Sequence, residues 1–428
     1  MGLQRFAIFT NPKIEDVLES EVQRVLHAHA HKTEVRPDIE GLVIVEVEDV
    51  PAVCDMLCAI RSAHYVMRLT AILDLPQTTD AVQALVRHIM EDPVNRLPDI
   101  SKAEFFRVRC TRLGLHSFRS HDVEREVGEA AHEYHKIPAK MRGATTILRV
   151  DVIGDKVVLG VQIHGEELSK RLHPEFIRDA SIRPNVAFAM LHLAGYGEGE
   201  VLMDPFVGSG TIALEAAVRF PNNKIIGIDR SDRVVKGARA NAETLGLTNV
   251  ELTTANARNL KSVVARSSVD CIVTNPPWGI RIGKNEEMED LYRGFLASAT
   301  EVLKIGGRIA CLLVRWEAFL HHCRSSGRWV VKMARPIRTG ELNPVLFIVE
   351  RVEDTMWNNI KRDIFVLVGD ARKGDGVTTL ESFKKQQVAV ADGAASGEKE
   401  EAGNGHEVEG EEAVEGEGAM RPRRRFSQ

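Results

Sequence analysis

The sequence predicts an α/β protein in which a doubly wound, mostly parallel sheet forms the second half of the folded chain and a smaller α+β module precedes it. Three observations support this prediction. Strand-like and helical segments alternate from about residue 178, a glycine turn follows the first of those strands, and the first 168 residues contain strands and helices in a different order. A chain of 428 residues is long enough for two or three such domains.

The N-terminal region has the pattern of a small α+β module. Residues 5–10 and 41–48 are short apolar runs that predict strands. Residues 13–28 carry apolar side chains at helical spacing, and residues 51–61 predict a second, shorter helix. We therefore assign a first subdomain to residues 1–64.

A second module is predicted over residues 65–168. The segment 105–110 alternates between apolar and polar side chains as a strand does. A helix begins at Ser120 with Glu124 as its expected capping acid, and residues 147–163 predict a hairpin.

Four arginines cluster in this second module: Arg107, Arg109, Arg112 and Arg119. They suit contacts with phosphates, but alternating arginines also keep the edge of a sheet soluble. The segment from Glu398 to Met420 carries nine Glu and one Lys, a net charge of −8, so the rest of the chain carries +3 of the total of −5. A mildly basic folded part is compatible with a polyanionic partner.

From about residue 178 the alternation of strands and helices is typical of a parallel sheet covered on both faces. The predicted strands are 201–204, 224–229, 250–253, 269–274, 308–314 and 345–350. The predicted helices are 211–219, 231–245, 286–303 and 316–325. We assign this domain to residues 169–355.

Residues 356–428 predict a C-terminal extension with an acidic tail that is disordered from about residue 385, because few large apolar residues could offset the entropy of ordering it. The arginines at 421–425 suit a nuclear or nucleolar address, or an RNA contact. No apolar run is long enough to cross a bilayer, so we expect a cytoplasmic or nuclear protein without a membrane partner. The six cysteines are scattered, and we expect neither disulfides nor a metal site.

A glycine turn marks the first candidate site. A predicted strand ends at Asp204, the turn Gly208-Ser209-Gly210 follows, and a helix begins at Thr211. This order brings bare backbone and a helix N-terminus to the carboxyl edge of the sheet, where α/β folds bind ligands. Asp229 ends the next strand, nineteen residues after Gly210, where a carboxylate can hold ribose hydroxyls. The turn alone also fits a dinucleotide site, so a hydride-transferring dehydrogenase stays open at this point.

The second candidate site is Asn275-Pro276-Pro277-Trp278, directly after the predicted strand 269–274. Two successive prolines force an extended backbone without N–H donors, so the Asn275 side-chain oxygen and the Pro276 carbonyl can accept both hydrogens of a planar amine. Trp278 adds a flat surface for a base taken out of its stack, and such stacking contributes about 1–3 kcal/mol. The pattern indicates chemistry at the exocyclic amine of a base.

Together the two motifs resemble the class I methyltransferases, and in particular the amino-methyltransferase branch with its Asn/Asp-Pro-Pro-aromatic signature. The string from Asn275 to Gly283, with Asp204-Pro205 before the glycine turn, resembles the THUMP-domain RNA guanine-N2 methyltransferases. Residues 1–168 are similar to the ferredoxin-like and THUMP arrangement of that family. The resemblance implies a Rossmann-like catalytic domain, S-adenosylmethionine as methyl donor, and methylation of a guanine amine in structured RNA, with tRNA as the first expectation.

The resemblance also implies roles for individual residues. The expected cofactor-binding residues are Arg183, Asn185, Asp204, Phe206, Gly208, Gly210, Thr211, Asp229, Asn256 and Asn275. The residues expected to hold the target base are Asn275, Pro276, Pro277 and Trp278. The expected RNA contacts are Arg107, Arg109, Arg112 and Arg281. Eukaryotic members work with a small zinc-binding activator subunit, which the resemblance implies as a partner.

Two positions depart from the family pattern. Asn256 stands where an acid is expected after the third strand, so the adenine amine of the cofactor would meet an uncharged amide. Trp278 stands where tyrosine or phenylalanine is more usual, which enlarges the stacking surface and keeps other amines open as targets. Methylation of ribosomal RNA guanine or of DNA or RNA adenine therefore stays as an alternative, with RNA binding without catalysis as a more remote one.

Overall fold

The computed structural model of the protein contains two β-sheets, one in each half of the folded chain. It describes residues 2–75, 80–91, 100, 103–140, 143–144, 146–165, 167–178, 181–278, 285–339 and 343–353. The predicted C-terminal extension from residue 356, with its acidic tail and its arginines, lies outside the described residues, as does Arg281. Within the described ranges, no helix combines the length and the apolar character that crossing a bilayer would need.

The first sheet begins with a βαββαβ unit. Its elements are β1 (Leu3–Phe9), α1 (Glu15–Leu26), β2 (Ala30–Val35), β3 (Leu42–Glu48), α2 (Pro51–Cys58) and β4 (Tyr65–Asp74). The strands lie in the order β2-β3-β1-β4 and pair antiparallel, which is the ferredoxin-like arrangement. The two predicted strands and two predicted helices of this region are confirmed. The strands β2 and β4 are additional. β2 lies at the edge, and its largely polar sequence lacks an apolar alternation that could have predicted it.

The same sheet continues into the second module. The further elements are α3 (Ala81–Glu91), β5 (Phe106–Arg109), β6 (Arg112–Leu113), α4 (Ser120–His135), β7 (Thr146–Ile153) and β8 (Lys156–Gln162). The hairpin prediction is confirmed, because β7 and β8 are antiparallel neighbours. β4 pairs with β1 on one side and with β8 on the other, so the boundary predicted at residue 64 falls directly before a strand that both modules share.

The start of α4 differs from the prediction. Asp122, and not Glu124, caps the helix, since its carboxylate accepts the backbone N–H of Arg119 at 2.7 Å. Asp122 is the third residue of the helix and faces back towards its start, whereas Glu124 lies further along. The Glu124 carboxylate instead accepts the backbone N–H of Cys110 at 3.0 Å and ties α4 to the end of β5.

The second sheet is the predicted α/β domain. Its elements are α5 (Pro184–Leu193), β9 (Leu202–Asp204), α6 (Thr211–Arg219), β10 (Ile225–Asp229), α7 (Asp232–Thr244), β11 (Val250–Thr254), β12 (Val269–Thr274), α8 (Asn285–Val302), β13 (Leu303–Leu313), α9 (Glu317–Ser326), β14 (Trp329–Pro336) and β15 (Val345–Arg351). The strand order is β11-β10-β9-β12-β13-β15-β14. Strands β9 to β13 run parallel, and β15 is antiparallel to both of its neighbours.

The predicted strands and helices of this domain are confirmed within a few residues. Two elements are additional: α5, which precedes the first strand, and β14 at the edge of the sheet. Strand order reverses at β9, because the chain first builds outwards to β11 and then returns to add β12 on the other side. In α/β folds such a reversal leaves a crevice at the carboxyl ends of the strands.

Buried side chains join the two halves of the chain. Ile14 and Val17, at the start of α1, belong to the same apolar cluster as α5 and α6 of the second domain. Glu215 on α6 has no exposed surface and accepts hydrogen bonds from Arg61, at 2.5 and 3.0 Å, and from Arg171, at 2.8 Å. A buried carboxylate without cationic partners is strongly destabilising, so these pairs fix α6 against the first half of the chain.

Arg61→Ala is expected to lower the free energy of unfolding by about 3 kcal/mol, because it leaves Glu215 buried with one cationic partner fewer. Arg335→Ala is the matched control at the same junction. Arg335 pairs with Asp16 at 2.8 Å, but the Asp16 side chain is 52% exposed, so we expect a loss below about 1 kcal/mol. Urea unfolding of the whole chain measures both variants, and equal losses would contradict the importance of Glu215 burial.

Candidate active site at the carboxyl edge of the second sheet

The predicted site residues that end strands come together at one edge. β9 lies between β10 and β12, and the three strands run parallel. Asp204 ends β9, Asp229 ends β10 and Asn275 directly follows β12, so the structure brings the two sequence motifs to the same sheet edge.

Asp204 is buried at the centre of this edge. Its carboxylate accepts hydrogen bonds from the Thr274 hydroxyl at 2.6 Å and from the Phe206 backbone N–H at 3.1 Å. Burial raises the pKa of Asp204 to about 7; the nearby charge of Asp229 adds to this effect, and the two hydrogen bonds oppose it. The charge of Asp204 therefore changes close to neutral pH.

Thr274 is a site residue that the sequence analysis did not single out. It is the last residue of β12 and directly precedes Asn275, so its hydrogen bond to Asp204 connects the two motifs. The available signal was a polar side chain at the end of the buried run Cys271–Val273. Since the Thr274 side chain is fully buried, its hydroxyl needs an acceptor within the protein.

The turn between β9 and α6 requires its glycines. Gly208 has φ +54° and Gly210 has φ +93°, a region that residues with a side chain rarely adopt. A Cβ at Gly210 would also lie 3.3 Å from the Leu214 side chain. α6 begins directly after the turn at the half-buried Thr211, so unpaired helix N–H groups lie beside side-chain-free backbone. Such a cradle suits the carboxylate of a ligand.

Asp229 ends β10, and Asn256 follows β11. One oxygen of Asp229 accepts the Ser231 backbone N–H at 3.0 Å, and the other lies 3.9 Å from the guanidinium of Arg178. The Asp229 side chain is 13% exposed, so its carboxylate is accessible to hydroxyl groups. Asn256 is exposed, and its side-chain oxygen accepts the Arg258 backbone N–H at 3.0 Å. That local bond leaves the oxygen a second lone pair for an amine.

The segment after β12 is anchored by α8. The Tyr292 hydroxyl donates a hydrogen bond to the Pro277 carbonyl at 3.2 Å. Pro276 is buried, Pro277 is exposed and Asn275 is half-buried. This burial and the Tyr292 hydrogen bond together fix the position at which the segment leaves the sheet. The two prolines cannot extend the hydrogen-bonded strand pairing of β12, because neither has a backbone N–H group.

Trp278 is held as a rigid surface. Its indole N–H donates to the carbonyl of Leu312, near the end of β13, at 3.2 Å, and its ring packs against the large apolar cluster of the domain. Beside the glycine turn, the half-buried Phe206 contacts Phe295 of α8 edge-to-face, with 5.5 Å between ring centroids. Both aromatic side chains are therefore fixed by the elements that surround this edge.

Arg183 and Asn185 lie where the two halves of the chain meet. Arg183 precedes α5 and contacts Glu167 at 3.4 Å and the Ser169 hydroxyl at 3.3 Å. Asn185 is fully buried and donates to the side-chain oxygen of Asn11 at 2.8 Å. Through these contacts both side chains help to join the two halves of the chain. Their expected contact with the cofactor remains a prediction.

Three of the predicted RNA contacts, Arg107, Arg109 and Arg112, lie on and beside the edge strand β5. Its side chains alternate, with Phe106 and Val108 buried, Arg107 half-buried and Arg109 exposed. Arg112, on β6, is half-buried. A cavity of about 390 Å³ opens between β5 and α4. Its lining includes Arg107, His121, Arg125, His132 and Lys140.

Comparisons with known proteins agree with this architecture. The RMKL-like methyltransferase domain family (UPF0020) matches residues 171–343. The tRNA (guanine(6)-N2)-methyltransferase of Thermus thermophilus is 34% identical over 344 residues, which cover 80% of this chain and 98% of that protein. The enzyme of the same name from Methanocaldococcus jannaschii is 28% identical over 265 residues, covering 51% and 69%. The crystal structure of TrmN from Thermus thermophilus matches with a TM-score of 0.68 at 32% identity, covering 82% of this chain and 100% of that one.

Thr274→Val is expected to raise the pKa of Asp204 above its value of about 7, because the carboxylate loses its 2.6 Å hydrogen bond while its burial is unchanged. Thr274→Ser keeps the hydroxyl and serves as the matched control. Nuclear magnetic resonance titration of protein labelled at the aspartate carboxyl carbons measures the pKa. An unchanged value in the valine variant would mean that this bond does not stabilise the ionised carboxylate.

Proposed function

The chain belongs to the family of THUMP-type, S-adenosylmethionine-dependent tRNA guanine-N2 methyltransferases, and from this premise we propose that it transfers a methyl group to the exocyclic amine of a guanine in tRNA. The proposal rests chiefly on one observation: the segment Asn275 to Trp278 and the glycine turn after β9 lie at the same sheet edge. The names of the relatives in Thermus and Methanocaldococcus both specify guanine 6 of tRNA, and they support tRNA over other nucleic acids.

For the cofactor, we propose that the turn Gly208 to Gly210 holds the methionine part and that Asp229 holds the ribose hydroxyls. Asp204 lies beside the turn and can pair with the ammonium group of the methionine part once it is ionised. When bound, S-adenosylmethionine supplies an electrophilic methyl group on a sulfonium. The exposed Asn256 is a weaker candidate for the adenine amine, since it offers an acceptor without charge.

For the target base, the Asn275 side-chain oxygen and the Pro276 carbonyl accept the two amine hydrogens. Accepting both hydrogens draws the nitrogen lone pair out of conjugation with the ring and makes the amine a better nucleophile. Trp278 offers the face on which the base stacks, and the Leu312 carbonyl fixes the edge of the indole. The main task of these groups is alignment, which can contribute roughly 7–11 kcal/mol in favourable cases. No strong base is needed, because the methylated ammonium readily loses its proton to water.

For RNA binding, we propose that Arg107 and Arg109 contact phosphates from the outer side of β5. Arg109 is exposed, whereas Arg107 is half-buried and its guanidinium already donates a hydrogen bond to the Gly165 carbonyl at 3.4 Å, so Arg109 is the more accessible of the two. Arg112 and Arg281 belong to the same proposal. So do a cytoplasmic location and the small zinc-binding activator subunit that the family resemblance implies.

Asn275→Ala is expected to lower the rate of methyl transfer by at least about 100-fold, because the amine loses an acceptor that aligns it. Asn275→Asp keeps an acceptor oxygen and should retain part of the rate. The assay uses isotope-labelled S-adenosylmethionine with separate pools of tRNA, ribosomal RNA and duplex DNA, followed by mass spectrometry of the nucleosides. We expect N2-methylguanosine in tRNA from the wild type. Label in adenine, or label confined to ribosomal RNA or DNA, would contradict the proposal.

The affinity for the product S-adenosylhomocysteine is expected to fall by about tenfold between pH 8 and pH 6. The raised pKa of about 7 means that Asp204 is largely protonated at pH 6 and must lose its proton to pair with the ammonium group, whereas at pH 8 it is already ionised. Isothermal titration calorimetry in two buffers of different ionisation enthalpy measures the affinity and the proton release. Asp204→Asn should bind weakly at both pH values, and an equal pH dependence in that variant would assign the effect to another group.

A further inference from the structure

A linker segment from the first half of the chain contacts the glycine turn. It passes Arg171, which pairs with Glu215 on α6, and then reaches Phe176, Arg178 and Ser181 before α5 begins. We call residues 176–178 and 181 the strap. The Ser181 hydroxyl lies 2.6 Å from the hydroxyl of Ser209 in the turn, and the Arg178 guanidinium lies 3.9 Å from Asp229. The strap thus touches both elements proposed to hold the cofactor.

Asn241 on α7 joins the strap to the turn. Its amide nitrogen donates to the carbonyls of Phe176 at 2.8 Å and of Ser209 at 2.9 Å, and its oxygen accepts the Phe176 backbone N–H at 2.9 Å. The side chain is 1% exposed, so water cannot replace these partners. Both amide hydrogens and the oxygen are therefore engaged with two backbone segments that are distant in sequence.

The bond from Asn241 completes the fixation of one peptide unit in the turn. The carbonyl of Ser209 is held by Asn241, and the N–H of Gly210 donates to the Val207 carbonyl at 2.8 Å. The peptide between Ser209 and Gly210 is thus held at both ends. Its orientation determines where the neighbouring N–H groups of the turn point, and these are the groups that an anionic ligand at the turn would meet.

Gly237 lets the strap approach α7 closely. It lies one helical turn before Asn241, so both residues are on the same face of the helix. A Cβ at Gly237 would overlap the ring of Phe176. Glycine inside a helix costs roughly 0.5–1 kcal/mol relative to alanine, and here it allows an aromatic ring to lie against the helix backbone. Two neighbouring positions on α7 therefore hold the strap by independent contacts.

We propose that Asn241 is a positioning residue for the methyl donor, which holds the strap against the glycine turn and fixes the backbone that binds S-adenosylmethionine. The proposal rests on the proposed function for the role of the cofactor in methyl transfer. Binding of S-adenosylhomocysteine in the absence of RNA tests it separately. If the wild type binds this ligand but methylates no RNA, the proposed function fails and the role of Asn241 is still measured.

Asn223 provides a matched control. It is 3% exposed, its amide nitrogen donates to the Tyr196 hydroxyl at 2.9 Å and the Gly197 carbonyl at 2.8 Å, and its oxygen accepts the Gly199 N–H at 2.8 Å. It therefore has the same burial and the same number of hydrogen bonds as Asn241. Because it precedes β10, it lies at the opposite, amino edge of the sheet.

The experiment compares Asn241→Ala with Asn223→Ala in the whole chain. Urea unfolding should give similar losses of stability, because both changes remove three buried hydrogen bonds. Calorimetry with S-adenosylhomocysteine should show binding weakened by about tenfold or more in the Asn241 variant and by less than about twofold in the Asn223 variant. In the methylation assay, the KM for S-adenosylmethionine should rise while kcat at saturation changes little. Equal weakening in both variants, or wild-type affinity in Asn241→Ala, would overturn the proposal.

Two further variants keep the test decisive if Asn241→Ala does not fold. Gly237→Ala leaves Asn241 in place but displaces Phe176, so it should also weaken binding. Asn241→Asp loses both amide donors, and its carboxylate repels the two carbonyl oxygens. Protonation at low pH restores one donor, so the affinity of this variant, relative to the wild type at the same pH, should improve between pH 8 and pH 6. A ratio that does not change with pH would contradict a role for the amide hydrogens.

Discussion

The parallel pairing of β9 with both β10 and β12 is the constraint on which the rest of the site depends. Parallel neighbours align their carboxyl ends, so residues far apart in the sequence are placed at one edge without any direct signal between them. Because all three strands are buried, their register is fixed by apolar packing on both faces. The packing of the core therefore determines the positions of the polar groups at this edge.

Because these polar groups are buried, their charge depends strongly on the groups that they contact. Asp204 is held at a raised pKa because water cannot reach it, and the Thr274 hydroxyl supplies part of what water would have given. Glu215 is equally buried on the helix that leaves the turn, but two arginines neutralise it. The two buried acids therefore have different roles. Glu215, paired with two arginines, fixes the junction between the halves of the chain. Asp204, which has no cationic partner among the described residues, is suited to receive a cationic ligand.

The sequence predicted most of the elements with strong periodicity and the residues at strand ends, because both follow from local patterns, but β4 and the amphipathic helix α3 were missed. It could not predict β2, whose polar edge sequence has no apolar face, or the capping role of Asp122 over Glu124, which depends on where the helix begins. The contacts of Thr274 and Asn241 could not be predicted from local sequence patterns either. Each acts through a partner 32 or more residues away, and a buried polar side chain in a helix or strand has no periodicity that distinguishes a structural from a functional partner.

The linker before α5 connects the junction between the two halves of the chain with the glycine turn. One stretch of chain is fixed to α6 through Arg171 and Glu215, and to α7 and the glycine turn through Phe176 and Asn241. The same stretch follows directly from the module that carries the proposed RNA contacts. A displacement of that module would therefore have to break a buried ion pair or pull on the peptide that shapes the turn. The distance between the surface proposed to contact RNA and the edge proposed to methylate it is thus set by packed and paired side chains rather than by a flexible tether.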